Sequence, residues 1–132
     1  MEKYKEIDNS LIGEVIKIRR HLHQYPEISE KEYETSNYIK SYLDKIGIES
    51  KIIGETGVVA TLINNLNYPT IALRAEIDVL PIEEKNSFEY KSKSKGVMHA
   101  CGHDGIAAVV LGLANLLKVN QAKLNWNIKF IN

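Results

Sequence analysis

"GVMHACGHDGIAA", residues Gly96–Ala108, holds the chain's one cysteine and two of its four histidines. It runs into "IAAVVLGLANLL", Ile106–Leu117, which is apolar on nearly every face and is predicted to be a largely buried helix. The first half supplies chemistry and the second supplies packing. Cys101 and His103 stand one residue apart, with Gly102 between them and Asp104 just after. Thiolate and imidazole are both good ligands for zinc and related divalent metals. On an extended backbone the two side chains would point the same way, and Gly102 would let the backbone bend close to an ion. Asp104 could cap the helix, ligate a metal or hold a ligand histidine by its second ring nitrogen. His99, two residues before Cys101, could be a third ligand or a donor behind the ligands. The alternative for each is local: a cysteine packed as a small hydrophobe, histidines satisfied by near neighbours.

Outward from this stretch, the chain alternates helix and strand signals. A first helix is expected from Asn9 or Ser10, with Leu11, Ile12, Val15, Ile16 and Leu22 on its buried face, ending before Pro26. Ser29 and Glu32 have capping-box spacing for a second helix. Tyr33, Ser36, Ile39, Tyr42, Leu43 and Ile46 trace its face, and Gly47 suits a left-handed C-cap. "IESKII", "VVATLI" and "TIALRAEID" then read as three strands in a meander, separated by turn residues. "EEKNSFEYKSKSKG" is expected as an exposed, charged loop, and "NIKFI" as one more strand after the apolar helix. The fold class is therefore α/β, a mixed sheet flanked by helices.

Composition narrows the function. The chain has 132 residues, one ordinary domain, and 17 basic residues balance 17 acidic ones. No basic surplus points to nucleic acid or an anionic membrane. No apolar run approaches the ~20 residues of a membrane span, and the charged N-terminus does not resemble a secretory signal. One cysteine makes no internal disulfide, which agrees with a reducing cytoplasm.

Two further clusters carry candidate chemistry. In "RAEIDVLPIEE", Glu76 and Asp78 alternate with Ile77, so both carboxylates face one way at a strand end, where sites in such sheets are often built. A carboxylate there can orient a metal-bound histidine or act as a base, and Arg74 could pair with either acid. In "RRHLHQYPE", cationic groups crowd a helix C-terminus, which the helix dipole favours. His21 and His23, two apart, do not share a helix face, so a joint metal site there is not expected.

"RRHLHQYPEIS", "IALRAEIDVLPIEE" and "GVMHACGHDG", in this order, resemble signatures of the M20 family of metal-dependent amidohydrolases and peptidases, nearest its aminoacylase-like branch. The resemblance covers nearly all of the chain from about Val15. It implies that residues 1–132 form the N-terminal part of a zinc-exopeptidase-like catalytic domain, with the lid and dimerisation domain and later catalytic segments not included. It further implies that Cys101 and His103 are ligands of a centre of two divalent ions (zinc or manganese, or cobalt or nickel). Asp78 would be the acid that supports the reacting water and orients the site, with Asp104 and His99 behind the ligands. The implied reaction is hydrolysis of an N-acyl amino acid, polarised by the paired ions. The full-length form leaves room for a homo-oligomer. The pattern departs in one residue, Ile106, where the family commonly has a further histidine. The family's base glutamate follows the strand that begins at "NIKFI", so these residues alone are expected to be inactive or nearly so. A different class of function remains: a non-catalytic module that binds a metal or a partner chain and is completed in trans.

Overall fold

The computed structural model describes residues 3–132. Helix α1 (Asn9–Gln24) is capped by Asp8, whose carboxylate accepts the Leu11 N–H at 2.9 Å. The expected caps, Asn9 and Ser10, lie inside the helix. α1 gives way at Tyr25, before Pro26. Helix α2 (Tyr33–Lys45) has no side-chain bond at its Glu32 cap, so the Ser29–Glu32 box does not form. Glu27 takes over: one of its oxygens accepts the Thr35 N–H and hydroxyl at 2.6 Å each, and the other accepts the Glu34 N–H at 3.1 Å. A carboxylate at this end also meets the positive pole of the helix dipole. Gly47 closes the helix at φ +83, as its position suggested.

Four strands form one sheet in the order β1-β2-β4-β3. β1 (Ser50–Ile53) and β2 (Gly57–Leu62) form an antiparallel hairpin, β2 pairs antiparallel with β4 (Asn127–Ile131), and β4 pairs parallel with β3 (Thr70–Arg74). The three earlier strands are thus not a simple meander, because β4 lies between β2 and β3. The Asn127 side chain explains how the gap is held. It accepts the N–H groups of Asn64 and Asn65 and donates to the carbonyls of Asn65 and Tyr68. The β2–β3 turn is thereby tied to the first residue of the intervening strand. β4 lies inside the sheet, with Ile128 and Phe130 buried.

Helix α3 (His103–Val119) connects the parallel pair, starting three residues before the expected Ile106. Val58, Ala60 and Leu62 of β2 and Ile128 and Phe130 of β4 share a core with Ile18 and Leu22 of α1, Ile39 and Leu43 of α2, and Ala107, Leu111 and Ala114 of α3. α3 is less buried than its composition suggested: Ile106 and Val109 are exposed. Ile12 and Ile16 of α1, also expected in the core, are exposed too, and with Leu11, Val109, Leu113 and Leu116 they border an apolar groove of about 310 Å³. Leu22 is buried as expected, together with Ile18, and α1 and α3 meet closely at Gly112. A Cβ added there would lie 2.3 Å from Val15 Cγ2.

That contact makes a first prediction. Gly112→Ala is expected to destabilise the fold by ~1–3 kcal/mol through overpacking. Gly13→Ala on α1, where an added Cβ meets nothing within 4 Å, is expected to stabilise by about 0.5–1 kcal/mol. Urea unfolding of both variants measures the difference. Equal and small effects would contradict the close α1–α3 contact.

Candidate metal centre

β3 ends at Arg74, and the chain continues through Glu76 and Asp78 towards α3. α3 begins with His103, so the carboxyl end of β3 faces the first turn of the helix that follows it. His103 Nδ1 lies 2.9 Å from Asp78 Oδ1 and 3.1 Å from the Asp78 carbonyl oxygen. Its Nε2 lies 3.2 Å from Glu76 Oε2. One donor atom from each of Glu76, Asp78 and His103 falls within 4.8 Å of the others, the one such group among the described residues. Arg74 donates to the other Glu76 oxygen at 3.2 Å, so of the two acids it pairs with Glu76.

The two ring nitrogens are chemically distinct. Nδ1 has two oxygen acceptors and therefore donates. In a neutral ring Nε2 is then an unprotonated lone pair directed at a carboxylate oxygen, which only a cation or a second proton reconciles. A carboxylate holding the far nitrogen of an imidazole is the usual arrangement behind a metal-bound histidine. Imidazole with carboxylate oxygens suits zinc or manganese. The donor set present thus fits a divalent cation.

Cys101 is exposed and lies outside this group of three. Gly102 takes φ +91, a left-handed conformation at the cap of α3. Cys101 and His103 therefore do not stand on one extended strand. Gly102 is needed for that backbone angle rather than for space, since an added Cβ would meet nothing within 4 Å. His99 is buried, and its Nδ1 has no hydrogen-bond partner. Burial, opposed by the nearby Asp104 carboxylate, lowers its pKa to about 4 and holds the ring neutral.

Asp104 faces away from the cluster. At 1% exposure it accepts His23 Nδ1 at 2.8 Å and Arg19 Nε at 2.9 Å. The histidine it holds is His23, not His103. His23 is itself 3% exposed, and its Nε2 lies 2.9 Å from Glu84 Oε1. Sequence reasoning treated His23 as a helix-end cation and Glu84 as part of an exposed loop, and both are buried. The available signal was spacing: Arg19 and His23 are four apart and share a face of α1 beside buried Leu22. His21 turns elsewhere, stacking on Tyr38 with ring centroids 4.0 Å apart.

Glu84 anchors the loop expected to be free. Burial alone would raise its pKa, but donation from His23, from the Ser92 N–H and from Asn86 outweighs this and brings it to about 2.

Comparison with known proteins finds relatives of the sequence and of the fold. Residues 72–132 match the model of Peptidase family M20/M25/M40. The N-acetyl-L-cysteine deacetylase of Bacillus subtilis is 50% identical over 93% of this chain and 30% of its own length. Thermostable carboxypeptidase 1 of Saccharolobus solfataricus is 44% identical over 99% of this chain and 34% of its own. Among solved structures, a dinuclear metal binding peptidase of the M20 family from Bacillus subtilis superposes with a TM-score of 0.89 at 40% identity, covering 94% of this chain and 35% of that one. The chain spans about a third of the length of these relatives.

The Glu84 contacts predict an acid dependence. Its folded pKa, about 2, lies below the ordinary 4.5. Its stabilising contribution is therefore complete above pH 4.5 and is lost as pH falls towards 2. Glu84→Gln is expected to cost about 2 kcal/mol at pH 7, as loss of hydrogen bonds to a charged group. The gap between variant and wild type should narrow steadily below pH 4.5 in urea unfolding. A gap that stays constant to pH 2.5 would refute the assignment.

Proposed function

We propose that this chain, which carries the sequence and fold of part of an M20 peptidase, supplies ligands to the two-metal centre of an amidohydrolase acting on N-acyl amino acids. The observation that carries the proposal is the His103 ring, fixed by Asp78 on one nitrogen and facing Glu76 with the other. When bound, the divalent ions would polarise the scissile amide carbonyl and acidify the attacking water. The chain's own residues prepare that site. Asp78 accepts the Nδ1 proton and so presents Nε2 outward. Arg74 holds one oxygen of Glu76 and leaves the other towards the imidazole. Cys101, two residues from His103 and exposed, completes the proposed donor set as a thiolate, and a reducing compartment such as the cytoplasm would keep it free to do so.

The likeness to proteins named N-acetyl-L-cysteine deacetylase and thermostable carboxypeptidase 1 supports the substrate class. Zinc and manganese are the proposed ions, and a small-molecule acyl amino acid the proposed substrate. His103, Asp78, Glu76 and Cys101 do not fill the shells of two ions, given about four ligands for each zinc. These residues on their own are therefore proposed to bind metal without appreciable turnover. A second reading rests on β3, which has no strand on its outer side among the described residues: a metal-binding module completed by another chain.

Calorimetric titration with Mn²⁺ or Zn²⁺ tests the site. Binding is expected for the wild type. It should be lost in His103→Ala and weakened about 10–100-fold in Asp78→Asn, the usual cost of removing the group behind a ligand. Cys101→Ala should weaken zinc more than manganese, since thiolate is the softer ligand. Binding unaffected by His103→Ala would overturn the proposal. Turnover of N-acetyl or N-benzoyl amino acids near the ordinary ~1–10³ s⁻¹ would overturn the inactivity of these residues alone.

A further inference from the structure

One buried charged assembly stands directly behind the metal centre without belonging to it. His23 is 3% exposed, with Nδ1 2.8 Å from Asp104 Oδ2 and Nε2 2.9 Å from Glu84 Oε1. Each ring nitrogen thus faces a carboxylate oxygen, and the ring bridges two acid groups. Arg19 adds a cation on Asp104. The rings of Phe88 and Tyr90 close over His23 at 5.8 and 6.0 Å.

Such an assembly is a costly way to fill space, because desolvating charges can cost as much as their attraction returns. What it achieves is attachment. Asp104 is the residue after His103, in the first turn of α3. Glu84 lies six residues beyond Asp78, on the segment that leaves the carboxyl end of β3 and is bridged back to Met98 through Leu80. The His23 ring spans these two segments from the third, α1. Without it, two buried carboxylates would face each other across the space the ring occupied, and the segments carrying His103 and Asp78 would lose their common anchor.

We infer that His23 is a positioning residue for the metal centre: by tying Asp104 to Glu84 it holds the His103 ring against Asp78. This rests on the metal-binding reading above for its consequence, but the His103–Asp78 contact can be observed without any metal.

The test has two readouts on the intact chain. The first is affinity for Mn²⁺ alone, by calorimetry. The second is the His103 Nδ1–H resonance of metal-free, ¹⁵N-labelled protein, which reports the bond to Asp78. His23→Gln, which can satisfy only one carboxylate well, is expected to lower Mn²⁺ affinity about 10–100-fold and to abolish the resonance while circular dichroism stays native. Leu22→Ala serves as the control: it weakens the same helix without touching the network and should move neither readout. Should His23→Gln fail to fold, Glu84→Gln is read in its place, with a smaller loss of the same kind expected. Wild-type behaviour of both network variants would overturn the inference. So would equal losses in Leu22→Ala, which would reduce His23 to a general structural role. If the wild type binds no Mn²⁺ at all, the metal reading fails, and the Nδ1–H resonance alone decides whether His23 positions His103.

Discussion

Two parallel strands cannot be joined by a tight turn. β3 and β4 pair in parallel, Thr70 with Asn127 through Arg74 with Ile131, so the chain must leave β3 at its carboxyl end and travel back before entering β4. Helix α3 makes that return. The residues just after β3 and the first residue of α3 are thus brought to the same end of the sheet, and those residues include Glu76, Asp78 and His103. Sites in open α/β sheets commonly occupy this position for the same reason. The remainder of the fold supports the crossover. β2 and the β2–β3 turn, held by Asn127, fix β4 from one side, and α1 packs along α3 at Gly112.

The end of the sheet is held by charges. On the outer side, Arg74, Glu76, Asp78 and His103 form a partly exposed chain of contacts. On the inner side, buried His23, Asp104 and Glu84 form another, with half-exposed Arg19 on Asp104. His103 and Asp104 are adjacent in sequence but belong to different chains of contacts, because successive residues at a helix start point in different directions. One turn of helix thereby joins the exposed contacts to the buried ones. The exposed pairs contribute little to stability in water. The buried ones cannot lose a single partner without stranding a charge.

Local features of the sequence were readable to the extent that neighbours alone decide them. Gly47 as a C-cap, the strand runs, Pro26 as a stop and the pairing of Arg74 with an adjacent acid all follow from short-range geometry. So did the concentration of metal-ligand types in "RAEID" and "CGHD", whose meaning came from resemblance as much as from spacing. The failures involve partners distant in the chain. Glu27 caps α2 from outside the helix and displaces the box formed by Ser29 and Glu32. β4 enters between β2 and β3 because strands pair across distant stretches of chain, Thr70 with Asn127 and Leu62 with Ile128, which no local pattern encodes. His23 and Glu84 looked like surface charges because they meet each other across 61 residues, and His23 meets Asp104 across 81.

The central claim is that His103, oriented by Asp78, coordinates a divalent ion. X-ray absorption spectroscopy of the chain loaded with one equivalent of Zn²⁺ tests it most directly. The account predicts imidazole scattering with a nitrogen or oxygen shell near 2.0–2.1 Å, a sulfur contribution near 2.3 Å from Cys101, and loss of the imidazole signal in His103→Ala. A shell of water oxygens alone, or an imidazole signal that survives His103→Ala, would contradict it.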